Sequence, residues 1–94
     1  MTFSMTESVI KLYKEIELNA GEALRLFVRY AGGTNNGGFS LGVSPDEPRE
    51  GDYMQEMNGL RFIVRPDDQW LINNMKLDYD DKNDQFICEI PALG

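Results

Sequence analysis

The residues of this 94-residue chain that could do chemistry are few: one cysteine, Cys88, two adjacent aspartate pairs, Asp67-Asp68 and Asp80-Asp81, a set of arginines and no histidine. Lacking histidine, the chain has neither the commonest general base at neutral pH nor the commonest metal ligand. Serine–histidine and cysteine–histidine triads are therefore excluded. Neighbours on an extended strand point to opposite faces, so neither acid pair is placed to share a proton. The run Asp78–Asp84 lacks the central glycine and the terminal glutamate of a calcium loop and reads as a hairpin turn. Cys88 alternates with Phe86 and Ile90 and is expected to be a small core residue.

Two features suit binding better than catalysis. Arg25 and Arg29 share one strand face, and Arg61 and Arg65 share another. On neighbouring strands the four guanidinium groups would form a patch for a carboxylate, a phosphate or an acidic partner. The other reading pairs each arginine with a nearby Asp or Glu. The second feature is the stretch YAGGTNNGGFSLGV, Tyr30 to Val43, whose Gly32, Gly33, Gly37 and Gly38 expose backbone N–H groups that could cradle an anion. No helix follows it and no Lys-Ser/Thr pair closes it, so it does not match a phosphate-binding loop.

These residues must be positioned by short elements. The segment SMTESVIKLYKEIEL places Val9, Leu12, Tyr13 and Ile16 on one side of a helix. Ser4 with Glu7 is expected to form a capping box, Thr6 is a competing N-cap, and Gly21 is expected to stop the helix. The period then changes to two. ALRLFVRY sets Leu24, Leu26, Val28 and Tyr30 against Arg25, Phe27 and Arg29, FSLGV groups Phe39, Leu41 and Val43, and Pro45 and Pro48 break a polar turn. Asn58-Gly59 predicts a two-residue hairpin between YMQEM and LRFIVR. PDDQWLIN predicts one helical turn with Trp70 and Leu71 as anchors. MKLDYD and QFICEI then alternate around the turn DKND. This is an α+β, mostly β chain: a helix followed by about six or seven short strands, in one domain over residues 1–94.

Composition narrows the partners. Sixteen acidic residues against nine basic ones give a net charge of −7, which argues against nucleic acid and anionic membranes. No run approaches the roughly 18 apolar residues of a membrane span, and a single unpaired cysteine suits a reducing, cytoplasmic setting.

The order of the pieces, MTES before the helix, LRLFVRY, the Gly-Gly loop, GFSLGV, DEP, NGLRFIV, DDQWLI and LDYDDKNDQFICEIP, resembles the HesB-like, A-type iron–sulphur cluster assembly family from about Thr6 to Pro91. The resemblance implies a compact barrel-like or sandwich-like fold, a place in iron–sulphur biogenesis, and an assembly or acceptor protein as partner. It also implies three cysteine ligands. One would follow Gly32-Gly33, where Thr34 stands before Asn35 and Asn36, and a Cys-x-Cys pair would follow Pro91, where none is present. Cys88 matches an apolar strand position ahead of that proline. Even a symmetric dimer would offer two thiols where a cluster takes four. The expectation is a non-enzymatic accessory or binding protein without the cluster-ligating cysteines, holding neither cofactor nor metal. A homodimer is expected from the resemblance and from open strand edges. The alternatives are an iron or cluster carrier with other ligands, and a small anion-binding protein or enzyme using arginines and carboxylates.

Overall fold

The computed structural model describes residues 1–30 and 39–93. The chain runs through β1 (Ser4–Met5), α1 (Glu7–Tyr13), β2 (Ala23–Tyr30), β3 (Phe39–Asp46), β4 (Tyr53–Met57) and β5 (Leu60–Val64). A 3-10 turn (Pro66–Asp68), α2 (Gln69–Ile72), β6 (Lys76–Asp80), β7 (Gln85–Glu89) and a final 3-10 turn (Pro91–Leu93) complete it. The expected α+β, mostly β class is present as two open sheets, ordered β3-β2-β5-β4 and β1-β6-β7. Neither closes into a barrel.

Alternation explains the larger sheet. Leu24, Leu26 and Val28 on β2 and Leu60, Phe62 and Val64 on β5 are all buried, and the two strands run parallel with Leu24 opposite Phe62. The Asn58-Gly59 hairpin forms as expected, both residues taking positive φ of 51° and 84°, and joins β4 to β5 antiparallel. β2 and β3 pair antiparallel along their full eight residues. That pairing carries β3 through Pro45, in place of the turn expected there; on an edge strand proline's missing N–H can face away from the neighbour.

The first element is a strand rather than a helix. β1 pairs parallel with β6, Ser4 opposite Lys76 and Met5 opposite Leu77, so Ser4 is not part of a capping box. Thr6 holds the N-cap position of α1 without a side-chain cap bond, because its hydroxyl donates to Asp78 Oδ1 at 2.8 Å. α1 ends at Tyr13, well before Gly21, whose φ of +84° shapes the turn in which Glu22 N–H donates to Asn19 O at 3.0 Å.

One hydrophobic cluster joins both sheets and both helices: Phe3, Val9, Ile10 and Tyr13 meet Leu24, Leu26, Phe62, Val64, Leu71, Ile72, Met75 and Leu77. Phe62 is its centre, with Phe3 edge-on at 5.9 Å and Tyr13 tilted at 6.3 Å between ring centroids. Two expected core residues lie outside it. Trp70 is 46% exposed while its neighbour Leu71 is fully buried, and Tyr30 at the end of β2 is 75% exposed. On the four-residue α2 the adjacent Leu71 and Ile72 take the core side and are fully buried, and Trp70 is left on the outer side.

Candidate functional site

Three places could have carried function from the sequence: the arginine faces, the glycine loop and Cys88. The loop residues Gly32, Gly33, Thr34, Asn35, Asn36, Gly37 and Gly38 lie outside the described residues. Its flanks are described: Tyr30 meets Phe39 edge-on at 5.2 Å, and Phe39 meets Trp70 at 5.4 Å.

The arginines do share one face. Because β2 and β5 are parallel neighbours, Arg25, Phe27 and Arg29 lie on the same outer side as Arg61, Ile63 and Arg65. Register divides them. Arg25 stands opposite Ile63, so Arg29 and Arg61 are displaced in opposite directions, about 20 Å apart along the strands at roughly 3.3 Å per residue. Arg25 and Arg65 converge instead. Arg65 Nη2 donates to Asp46 Oδ2 at 3.0 Å and Arg65 Nη1 donates to the Glu47 carbonyl at 3.3 Å; the same Nη1 is also paired with Asp52. Arg25 Nη1 lies 3.7 Å from the same Asp46 oxygen. Its Nη2 donates to Asp68 Oδ2 at 3.3 Å, and its guanidinium lies over the Phe27 ring at 5.2 Å.

This chain of charges, Asp52–Arg65–Asp46–Arg25–Asp68, is largely withdrawn from water. Arg65 and Asp68 are buried. Its role is visible in the topology: β3 and β4 lie at opposite edges of the sheet, and their connection must cross the ends of β2 and β5. Arg65 grips both ends of that crossing through Asp46 and Asp52. Asp52 Oδ2 also accepts from Arg49 N–H at 2.9 Å. Asp68 Oδ1 accepts Val28 N–H at 3.1 Å, taking the ladder position that β5 leaves when it ends. Among the described residues, Arg25 Nε and Asp52 Oδ1 are buried without a partner. The Asp46 carboxyl is held below its ordinary value, chiefly by the Glu47 backbone N–H and then by Arg65, Arg49 and Arg25. Arg29 and Arg61 make no ion pair among the described residues.

Cys88 corrects its expected place. Leu77 stands opposite Cys88 and Tyr79 opposite Phe86, so both β7 residues do face the core side. Yet every residue of β7 is exposed, Cys88 included, because the strand overhangs the core. Phe86 stacks on Tyr13 at 6.1 Å and tilts against Tyr79 at 4.9 Å, closing one wall of a cleft of about 260 Å³ that reaches Leu41 on β3. Partial burial raises the thiol's pKa. Burial, then the Cys88 charge, pushes the Tyr13 phenol up to about 12. A protonated thiol beside a protonated phenol is a poor nucleophile.

Among the described residues, no group of three His, Cys, Asp or Glu side chains is placed to hold a metal ion, and no helix is long and apolar enough to cross a membrane. In fold, the chain is similar to three solved structures. They are IscA with its [2Fe-2S] cluster (TM-score 0.72, 17% identity, 96% of this chain and 83% of that one), SufA of Escherichia coli, involved in biosynthesis of iron–sulphur clusters (0.65, 19%, 96% and 86%), and a protein from Aquifex aeolicus (0.56, 23%, 95% and 91%). In sequence it is 36% identical over 93 residues, 95% of this chain and 98% of the other, to a pyruvate dehydrogenase inhibitor of Bacillus subtilis. With residues 1–91 matching the iron–sulphur cluster biosynthesis family, the resemblance read from the order of its motifs holds over nearly the whole chain, which belongs to that family.

Proposed function

We propose that this chain is a non-enzymatic, protein-binding member of the iron–sulphur cluster biosynthesis family, and that it acts by docking on pyruvate dehydrogenase and lowering its activity. The observation that carries this reading is the similarity at 36% identity to a protein named for that inhibition, over 98% of its length. The side chains are in keeping with it. One cysteine and no histidine do not fit a cluster normally held by four thiolates. The one thiol sits on an exposed strand with its pKa raised, where a ligand needs a thiolate. The reducing, cytoplasmic setting and a chain organised as one domain remain parts of the proposal.

Titrating the purified chain into a pyruvate dehydrogenase assay tests it. A saturable fall in rate with unchanged pyruvate affinity is expected; full activity at saturating chain sinks the reading. The family match favours a second reading, a cluster or iron carrier with ligands other than the family's cysteines. Anaerobic reconstitution with iron and sulphide separates the two. A stoichiometric cluster that survives Cys88→Ser would favour the carrier.

A further inference from the structure

β7 pairs with β6 and, among the described residues, with no other strand. An edge of this kind presents backbone N–H and C=O groups with no partner, a template for another strand. Natural edges are usually short, proline-bearing, bulged or covered. β7 is five residues long with every residue exposed, no proline and two large apolar side chains in the open, Phe86 at 44% and Ile87 at 55%. Beside it runs the cleft of about 260 Å³, lined by Tyr13, Leu41, Leu77, Phe86, Cys88 and Ile90. That is larger than the roughly 150 Å³ that holds a benzene ring. The cleft opens between β7 and β3, one edge strand from each sheet.

We infer that the open edge of β7 is a strand-addition site for an extended segment of a partner protein, with apolar residues at alternate positions and Lys or Arg at its ends. The backbone edge would supply affinity, and the cleft would select every second side chain. Charge chooses the partner. Asp80, Asp81 and Asp84 stand in or beside the turn at one end of β7, offset only by Lys82, and Glu89 stands at the other end. A second copy is the wrong occupant. Antiparallel pairing of two β7 strands about Ile87 sets Glu89 of one opposite Gln85 of the other and next to its Asp84, and like charges so placed repel. The chain's charge of −7 opposes self-association further, whereas a basic strand meets acids at both ends.

The site deepens the docking function proposed above and rests on it for the identity of the partner, but it can be tested separately. Random peptides of about ten residues, displayed on phage, are panned against the full chain. Enriched peptides are expected to alternate apolar residues between basic ends and to slow amide exchange across β7. They should bind the exposed-site variant Asp81→Lys/Glu89→Lys about tenfold more weakly, while its melting temperature matches wild type. Failure to enrich any peptide, enrichment of acidic peptides, or protection that maps elsewhere overturns the proposal. So does concentration-dependent protection of β7 in the chain alone, which would assign the edge to a second copy. Exchange is then repeated with pyruvate dehydrogenase present. Inhibition without protection of β7 overturns the site and spares the function. Peptide binding at β7 with no inhibition supports the site and removes that function.

Discussion

The two sheets of this protein are finished to different degrees. In the four-stranded sheet even the outer face is engaged: Ile63 is fully buried there, Phe27 rests on Gly42, and five charges are strung across the strand ends. In the three-stranded sheet the last strand carries core-facing side chains, Phe86 and Cys88, that the described residues cover only in part. Where a sheet satisfies its own charges and faces, substitutions register as lost stability. Where it does not, they should register as lost binding.

The sharpest break of that contrast is Arg65→Met. It leaves Asp52, whose side chain is 2% exposed, as an uncompensated buried carboxylate, at a cost of about 3–5 kcal/mol by urea unfolding. A loss below about 1 kcal/mol would mean that the ion chain is incidental to the crossing it spans.

Gly42→Ala should cost less, about 1–3 kcal/mol. A Cβ at this position would come within 2.4 Å of the Phe27 ring and 2.7 Å of Arg29 Cγ, so the ring must leave its seat. Unchanged unfolding together with an unchanged guanidinium–ring contact would contradict the close packing described for this face.

The pH dependence should separate the regions again, at opposite ends of the scale. Asp46 has a folded pKa below 3.8, so its contribution is complete above that value and is lost as pH falls through the lower folded one. The gap in melting temperature between wild type and Asp46→Asn should therefore close in acid. Tyr13, in the cleft, is raised from 10.0 to about 12. Its contribution is complete below pH 10 and is lost as pH rises toward the folded value. Tyr13→Phe should hold its melting temperature across that interval while wild type declines; parallel curves would contradict the buried phenol.

The smallest effect is expected at Cys88→Ser, within about 0.5 kcal/mol of wild type in urea. The native thiol should be accessible to a thiol reagent without unfolding, and slow to react at neutral pH because its pKa is raised. A loss of several kcal/mol would restore the cysteine to the core and remove the contrast between the sheets.

Local chemistry was legible where it decided local structure. Asn58-Gly59 specified its hairpin, and the alternation of Leu24, Leu26 and Val28, or of Met75 and Leu77, specified which face turns inward. Periodicity assigns a face but does not say whether anything covers it, and for that reason the pattern around Cys88 predicts a core residue where the thiol is exposed. The arginines show the same limit. Spacing put Arg25 with Arg29 and Arg61 with Arg65, but the register of a parallel pair is a tertiary property, and it placed two of the four beside aspartates and the other two at opposite ends. The exchange of a capping box for β1 was equally hidden, since a two-residue strand has no pattern of its own and exists only through β6.

That strand also has a consequence in time. Ser4 N–H donates to Met75 O at 2.8 Å, Thr6 N–H donates to Leu77 O at 3.0 Å, and Asn74 N–H donates to Thr2 O at 2.6 Å. Ser4 and Met5 therefore wait for partners made some seventy residues later. At roughly 5–20 residues per second, this segment spends several seconds outside its ladder, and its final pairing is deferred until β6 has been synthesised.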